Sequence, residues 1–223
     1  MSYRSPIERR MARRAMLKRA GVLLLIGVVL LWLDGVLHAL LAVGPEHKAR
    51  LEGKDWYQMF RAAGYLPTWL LIGGTIVLWE WRKRGRAPLG AGVLIGAVVS
   101  GLIAEGLKVV FGRHRPDADG AMDWNPFLGA IWNPQEFGSN LGLPSSHVAV
   151  AFGAALVIWR LLPGAGGLAL LAACGCAVTR LLAGAHSASD VYVGVLVAWG
   201  VSVVVCRTGL RREMVGRRVR RLG

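Results

Sequence analysis

Six long apolar runs, separated by short polar or charged segments, restrict the fold of this chain more than any other feature. They lie near residues 20–43, 66–81, 89–111, 148–162, 167–183 and 187–206. About 20 residues of helix, at about 1.5 Å per residue, cross the hydrocarbon core of a bilayer. Several runs are a little short, but six spans place both basic ends of the chain on one side, whereas five would separate them. The pattern predicts an all-α fold, a polytopic membrane helical bundle of six transmembrane helices, as a single domain over residues 1–223.

The charge of the chain supports a membrane protein with basic flanks. The sequence is 54% hydrophobic and yet has a formal net charge of +14, a combination that is unusual in a soluble domain. Basic residues cluster in the tails 1–19 and 207–223 and in the loop 82–87. Nucleic-acid binding is the other common explanation of so basic a chain. It is not favoured here, because the charges flank apolar runs instead of forming a stripe.

The positive-inside rule then predicts an orientation. Both basic tails and the loops 82–87 and 163–166 are expected in the cytoplasm. The outer side receives the segments 44–65 and 112–147 and the link 184–186. The first run resembles the hydrophobic part of a signal peptide, but it is long enough to span, so we expect it to remain as an anchor. Compactness favours a bacterial-type inner membrane, with the outer side periplasmic.

Two outer segments are predicted to lie at the membrane interface. Residues 45–65 and 124–137 mix aromatic side chains with polar ones, and Trp and Tyr favour the headgroup level. Two interpretations stay open: a plain aromatic belt, or a portal through which a lipid headgroup enters. On the third run, Gly92, Gly96 and Ser100 are four residues apart and allow close helix approach. Packing within one monomer is favoured over a dimer face, and the oligomeric state stays open.

Polar residues at the outer ends of the runs form three groups. The first contains Lys108 and Arg115, seven residues apart, with a proline next that stops any helix. Both cations can point at one outer pocket, where guanidinium and ammonium groups suit phosphate oxygens. The alternative is that Lys108 snorkels to the headgroups. Snorkelling or solvation is also expected for Arg113 and His114, and Glu105 is expected to pair with Lys108.

The second group, Pro144-Ser145-Ser146-His147, immediately precedes the fourth run. A helix that begins here has unpaired N–H groups facing outward, which form a natural anion site. The hydroxyl of Ser145 could cap the helix or donate to a phosphate. For this stretch alone, a simple N-cap with an uninvolved His147 is the simpler explanation.

The third group contains Arg180, His186 and Asp190, around the link between the last two runs. His186 and Asp190 are four residues apart and share a helix face, so the carboxylate can fix the tautomer of the ring. The other ring nitrogen is then free to attack phosphorus. The alternative is a buried pair that only ties two helices together. Asp34 and His38 have the same spacing on the first run and are expected to form an internal polar pair.

Together the three groups resemble the motifs of the type-2 phosphatidic acid phosphatase superfamily, which also contains vanadium haloperoxidases. The family pattern is Lys-x6-Arg-Pro, Pro-Ser-Gly-His and Ser-Arg-x5-His-x3-Asp. This chain has Lys108-x6-Arg115-Pro116, Pro144-Ser145-Ser146-His147 and Thr179-Arg180-x5-His186-x3-Asp190. The order and spacings agree, and the resemblance covers residues 89–206. Ser146 replaces a glycine and Thr179 a serine, and neither change removes an essential chemical group.

The resemblance implies a role for each motif residue. It implies that Lys108, Arg115 and Arg180 bind the phosphoryl group together with Ser145 and the backbone amide of Ser146. His186 would be the nucleophile that forms a phosphohistidine, and Asp190 would orient it. His147 would protonate the leaving group and then activate water. No acidic cluster suited to Mg²⁺ is found in the sequence, so we expect catalysis without a metal or another cofactor.

The resulting expectation is a membrane phosphatase that acts on lipid phosphates or diphosphates at the outer face. A phosphotransferase that passes the phosphoryl group to a lipid acceptor is the first alternative, and a non-catalytic transporter or scaffold is the second. The expected partners are the bilayer and the lipid substrate. Phosphatidylglycerophosphate, phosphatidate, undecaprenyl diphosphate and lipid A phosphate are not distinguished by the sequence.

Overall fold

The computed structural model describes residues 5–85, 88–117, 120–127 and 140–219, and this part of the chain is built from eight helices. They are α1 (Pro6–Leu41), α2 (Pro45–Glu52), α3 (Asp55–Ala62), α4 (Leu66–Arg84), α5 (Pro88–Phe111), α6 (Ser146–Leu161), α7 (Pro163–Leu182) and α8 (Ala188–Val219). The described residues form no strand, only two isolated bridges, from Arg113 to Trp124 and from His114 to Leu141. The predicted all-α fold is confirmed.

Each of the six apolar runs lies in its own helix, and the chain is a multi-pass membrane protein. Four helices of the described part are long and apolar enough to cross a bilayer: Arg10–Leu41 within α1, α5, α7 and Ala188–Thr208 within α8. A fifth span results if α3 and α4, which are bent by 65°, count together. Helix α6 is apolar but has only 16 residues, fewer than any of these four candidate spans. The number of six transmembrane helices therefore stays a prediction.

Helix α6 lies at the centre of the bundle and packs against α5, α7 and α8. Its contact with α5 is close because small residues face each other. A Cβ atom added to Gly153 would lie 2.3 Å from the carbonyl oxygen of Gly96 and 2.5 Å from Oγ of Ser100. Only a residue without a side chain fits there. The small residues of the third run thus pack within one chain, as the sequence predicted.

A glycine ends α5 and turns the chain back toward the bundle. Gly112 has a φ of 57°, and its N–H donates to the carbonyl of Lys108 at 2.7 Å. A Cβ atom here would lie 2.1 Å from the carbonyl oxygen of Asn125, so both backbone conformation and space favour glycine. The following residues pair with the segment before α6: Arg115 N–H donates to Asn140 at 2.8 Å, and Gly142 N–H donates to Arg113 at 2.7 Å.

The segment 45–65 forms the short helices α2 and α3, and α3 packs against α7. Trp56 and Tyr65 of this segment are exposed, whereas Tyr57 is fully buried. In the second aromatic segment, Trp124 and Phe127 are exposed. The remainder of that segment, residues 128–137, lies outside the described residues.

Candidate active site

The eight predicted site residues lie together at one end of the α5–α8 bundle. Lys108 is in the last turn of α5, and Arg115 lies in the loop that follows this helix. Ser145–His147 begin α6. Arg180 is in the last turn of α7, His186 is in the link between α7 and α8, and Asp190 is in the first turn of α8. This clustering follows from the helix order, because α5 and α7 end where α6 and α8 begin. We call this group of residues the phosphate cradle.

His186 and Asp190 form the buried pair that the sequence predicted. The His186 Nδ1 to Asp190 Oδ2 distance is 3.3 Å, and each residue is 1% exposed. The same carboxylate oxygen accepts the N–H of Ser187 at 2.9 Å, which fixes its position. An acceptor at Nδ1 favours the tautomer with the proton there. His186 Nε2 then carries the lone pair, and this atom is buried without a hydrogen-bond partner among the described residues.

The electrostatics keep His186 neutral. Burial lowers the pKa of His186 from its ordinary value of 6.5, because desolvation disfavours the charged ring. The carboxylate of Asp190 raises this pKa in part, whereas Arg180 and Arg115 lower it further. The net direction is downward, so the imidazole is unprotonated at neutral pH. A neutral, oriented imidazole with a free nitrogen is a competent nucleophile.

Three further atoms of the cradle are hydrogen-bond donors without a partner among the described residues. The Nε atoms of Arg115 and Arg180 and the hydroxyl of Ser145 are buried and have no hydrogen-bond partner in the described part of the chain. Ser145 occupies the N-cap position of α6, but its hydroxyl makes no cap hydrogen bond, while its N–H donates to the Asp190 carbonyl at 3.0 Å. A buried unsatisfied polar group costs about 1–3 kcal/mol. Several such donors beside two guanidinium groups and a helix N-terminus indicate an anion site.

Lys108 is 3% exposed and points into the cradle. Its Nζ donates to Ser146 Oγ at 3.1 Å and to Glu105 Oε1 at 2.8 Å. The alternative that Lys108 snorkels to the headgroups is therefore wrong, and the expected pairing with Glu105 is confirmed. Thr179 contributes no hydroxyl to the cradle, because its Oγ1 donates to the Cys176 carbonyl at 2.7 Å.

His147 lies in the first turn of α6, near the cations of the cradle. It is half-buried and within electrostatic reach of Arg180, His186 and Lys108. Its ring meets the ring of Tyr65 edge-on, with centroids 5.4 Å apart. His147 thus lies near His186 and the cations of the cradle, and its involvement in a reaction stays a prediction.

Arg113 is buried in the structure, contrary to the expectation from the sequence. It is 3% exposed, and its Nη2 donates to Asp34 Oδ2 at 2.7 Å. Its Nη1 donates to Ser189 Oγ at 2.5 Å and lies 3.4 Å from Asp190 Oδ1. The expected snorkelling or solvation of Arg113 is wrong, because the side chain folds inward to neutralise two buried carboxylates. The signal was a carboxylate within the first apolar run, which requires a partner.

The expected pair of Asp34 and His38 is also wrong. The Asp34 carboxylate accepts from Arg113 and from the N–H of Ser189, at 2.9 Å for the latter, and from the Ser189 hydroxyl as well. His38 Nδ1 is buried without a partner among the described residues. The i, i+4 spacing does place both residues on one face of α1, but Ser189 of α8 and Arg113 of the loop after α5 bind the carboxylate instead.

Two further residues border the cradle that the sequence analysis treated only as parts of an aromatic interfacial segment. Tyr57 and Arg61 of α3 are within electrostatic reach of Arg180.

Within residues 5–85, 88–117, 120–127 and 140–219, no group of three or more His, Cys, Asp and Glu side chains is placed to hold a metal ion. Catalysis without a metal or cofactor stays a prediction.

The sequence profile of the PAP2 superfamily matches residues 89–213, which is more than half of the chain. The chain belongs to the PAP2 superfamily. This confirms the resemblance inferred from the three motifs, and the matched range contains all eight residues of the phosphate cradle. Membership supports an enzyme of the phosphoric ester hydrolase type, a phosphatase acting on phosphate esters. No curated protein and no solved structure matches the chain.

Proposed function

We propose that this PAP2 superfamily member hydrolyses lipid phosphates or diphosphates through a phosphohistidine on His186, at the outer face of a bacterial-type inner membrane. The observation that carries the proposal is a set of buried polar atoms on cradle residues that have no hydrogen-bond partner in the described part of the chain: His186 Nε2, Ser145 Oγ, and Nε of Arg115 and Arg180. A phosphoryl group supplies what each atom lacks, because its oxygens accept from the three donors and its phosphorus accepts the lone pair.

In the first step, His186 Nε2 attacks phosphorus and the bond between phosphorus and the leaving oxygen breaks. The leaving oxygen keeps the electron pair and takes a proton from His147. Arg115, Arg180 and Lys108 stabilise the charge on the three equatorial oxygens. The carboxylate of Asp190 accepts the hydrogen bond from Nδ1–H of His186 and stabilises the positive ring that forms when Nε2 is phosphorylated.

In the second step, a water molecule attacks the phosphohistidine. His147, which has lost its proton, accepts one from this water, so a bond from oxygen to phosphorus forms as the bond from Nε2 to phosphorus breaks. The electron pair returns to His186, and inorganic phosphate leaves. The enzyme ends in its starting protonation state, so the cycle is balanced.

The surroundings of His147 suit this role only when substrate is present. Arg180, Lys108 and Arg61 all act on His147 electrostatically. A bound phosphate dianion offsets these positive charges and favours the protonated imidazole that a general acid needs. Proton uptake by His147 is therefore coupled to phosphate binding in this proposal.

The choice of a lipid substrate is supported by the position of the cradle. The cradle lies at the ends of helices that are apolar enough to span a membrane, and exposed aromatic residues at the same end, Trp56, Tyr65 and Trp124, suit the headgroup level. The orientation is supported by the exposed basic residues of α1 and by the basic end of α4, at the opposite ends of the spans.

The test is phosphate release by the purified protein in detergent micelles from phosphatidylglycerophosphate, phosphatidate, undecaprenyl diphosphate and lipid A phosphate. At least one lipid should be turned over, and His186→Ala should be inactive. His47→Ala, an exposed histidine of α2, is the matched control and should keep full activity. Phosphorylated lipid acceptor in place of free phosphate would indicate the phosphotransferase. No turnover of any lipid, or turnover that survives His186→Ala, would contradict the proposal.

A further inference from the structure

Helix α3 presents two polar side chains toward the cradle that the proposed reaction does not use. Tyr57 and Arg61 are four residues apart and therefore share a helix face. Tyr57 is 0% exposed, and its hydroxyl has no hydrogen-bond partner in the described part of the chain. The Nε of Arg61 is also buried without a partner there. A buried phenol with an unused hydroxyl is unusual, because Tyr hydroxyls normally find a partner when they are buried.

Both side chains face the helix that carries Arg180. Helix α3 packs against α7, and Tyr57 and Arg61 each act electrostatically on Arg180 near the end of that helix. The contact is tight, since a Cβ atom added to Gly175 of α7 would lie 2.1 Å from the ring of Phe60. The position of α3 relative to the cradle is therefore fixed by packing.

The end of α3 lies on the His147 side of the cradle. A Cβ atom on Gly64 would lie 2.9 Å from the Cβ of His147, so this turn touches the histidine directly. The guanidinium carbon of Arg61 lies 5.7 Å from the centre of the Tyr65 ring, whose edge meets the His147 ring. In the proposed reaction, His147 marks the side from which the leaving group departs.

A cation and a hydroxyl donor on that side suit a leaving group that is itself an anion. A neutral alcohol has no negative charge for Arg61 to neutralise. A phosphate monoester does, and its non-bridging oxygens accept hydrogen bonds from both a phenol and a guanidinium. In that case the bond that breaks joins the terminal phosphorus to a bridging oxygen, and the electron pair leaves on a phosphate.

We propose that Tyr57 and Arg61 form a leaving-group subsite for a second phosphoryl group, so that the preferred substrate class is a lipid diphosphate. This rests on the proposed function. His186 Nε2 bonds to the terminal phosphorus, the bridging oxygen leaves with the lipid monophosphate, and Arg61 and Tyr57 stabilise the charge that the departing phosphate gains. Water then releases the terminal phosphate from His186.

The experiment compares kcat/KM for farnesyl diphosphate and farnesyl monophosphate, which share the same lipid chain, in detergent micelles. The wild-type protein should prefer the diphosphate. Tyr57→Phe and Arg61→Gln should each lower the ratio of kcat/KM for the diphosphate to kcat/KM for the monophosphate by about tenfold or more, since a hydrogen bond to a charged group is lost. Arg50→Gln, at an exposed arginine of α2, is the matched control and should leave the ratio unchanged.

The possible outcomes separate the two proposals. Wild-type activity on the monophosphate alone, or a ratio unchanged in Tyr57→Phe, would overturn the subsite while leaving the phosphatase intact. If Arg61→Gln does not fold, Tyr57→Phe still decides, because it removes only one oxygen. Activity of His186→Ala on both substrates would instead overturn the proposed function. Inorganic pyrophosphate is the third substrate: turnover comparable to that of farnesyl diphosphate would show that the lipid chain is not recognised, and would overturn the assignment of a lipid diphosphate.

Discussion

The guanidinium of Arg113 and the carboxylate of Asp34 form a buried ion pair, with 2.7 Å between Nη2 and Oδ2 and side-chain exposures of 3% and 2%. The pair joins the loop after α5 to helix α1. The other guanidinium nitrogen contacts Ser189 and Asp190, so the same arginine reaches the carboxylate that orients His186. Helix α1, which lies outside the residues matched by the family profile, is thereby connected to the pair of His186 and Asp190.

This connection predicts a coupled effect on stability. Breaking a buried pair from one side leaves an uncompensated charge and costs about 3–5 kcal/mol. Asp34→Leu and Arg113→Met should therefore each lower the thermal unfolding midpoint of the detergent-solubilised protein substantially. The double variant should lose clearly less than the sum of the two, because in it neither Asp34 nor Arg113 is left without the other. Strictly additive losses would show that the two side chains do not interact.

The nucleophile and its orienting carboxylate should respond differently to mutation. His186→Ala removes the only atom proposed to form the covalent bond, so activity should fall to background. Asp190→Asn keeps a hydrogen-bonding group near Nδ1 but loses the charge that stabilises the phosphorylated ring, so a small residual activity should remain. Acid-labile phosphate on the denatured protein after a rapid quench measures the intermediate directly. If His186→Ala keeps more than a few per cent of turnover or still carries the label, the assignment is wrong.

The pH profile should show the effect of burial on His186. Its pKa is lowered from 6.5 by desolvation, and only the neutral ring attacks. As pH falls, activity is lost only when the pH passes this lowered pKa, so the acid limb of kcat/KM should lie below pH 6.5 once the ionisation of the substrate is accounted for. Asp190 raises the pKa of His186, so Asp190→Asn should move the limb to still lower pH. A limb at or above 6.5, or a shift upward in the variant, contradicts this.

The sequence predicted the parts of the fold and site that depend on local pattern. Long apolar runs predict helices, and a motif at the end of a run stays at the end of its helix. Lys108, Ser145, Arg180 and Asp190 therefore had to lie at helix ends, and the helix order brings those ends together. The positions of the six helices and the pairing of His186 with Asp190 follow from spacing alone.

The contacts that were missed join segments far apart in sequence. Arg113 bonds to Asp34 across 79 residues and to Ser189 across 76. Tyr57 and Arg61 reach the cradle only because α3 packs against α7. Spacing within a segment carries no information on such contacts. The sequence alone therefore could not show whether Arg113 is a buried counter-ion or a solvated cation. The apolar surroundings of Asp34 were the one physical reason to search for a distant cation.

The proposed orientation predicts the labelling of single cysteines. The background lacks the three native cysteines, Cys174, Cys176 and Cys206. In it, Ala121→Cys places an exposed thiol in the loop between α5 and α6. Gly164→Cys places one at the exposed start of α7, where an added Cβ meets nothing within 4 Å. In intact cells a membrane-impermeant thiol reagent should label the first and not the second. After the cells are lysed, both should react, which controls for reactivity. The reverse pattern in intact cells would place the cradle in the cytoplasm.

The importance of His147 should depend on the leaving group. A lipid alkoxide is a poor leaving group and needs a proton as its bond to phosphorus breaks, whereas nitrophenolate leaves without one. General acid catalysis contributes about 10²–10⁴-fold where it is needed. His147→Ala should therefore slow hydrolysis of a lipid monophosphate by a factor in this range, yet slow phosphohistidine formation from p-nitrophenyl phosphate far less.

The second role of His147 makes the same variant informative in rapid mixing. Without a base to activate water, the phosphohistidine formed from p-nitrophenyl phosphate should accumulate, and nitrophenol should appear as a burst close to one equivalent per enzyme, followed by slow turnover. Tyr65→Phe, which keeps the ring that packs edge-on against His147, is the matched control and should show no burst. Equal losses on both substrates without a burst would mean that His147 only shapes the phosphate cradle. The proton donor would then have to come from another residue of the outer loop, with His114 the first to test, because it lies one residue before Arg115 in the same backbone segment.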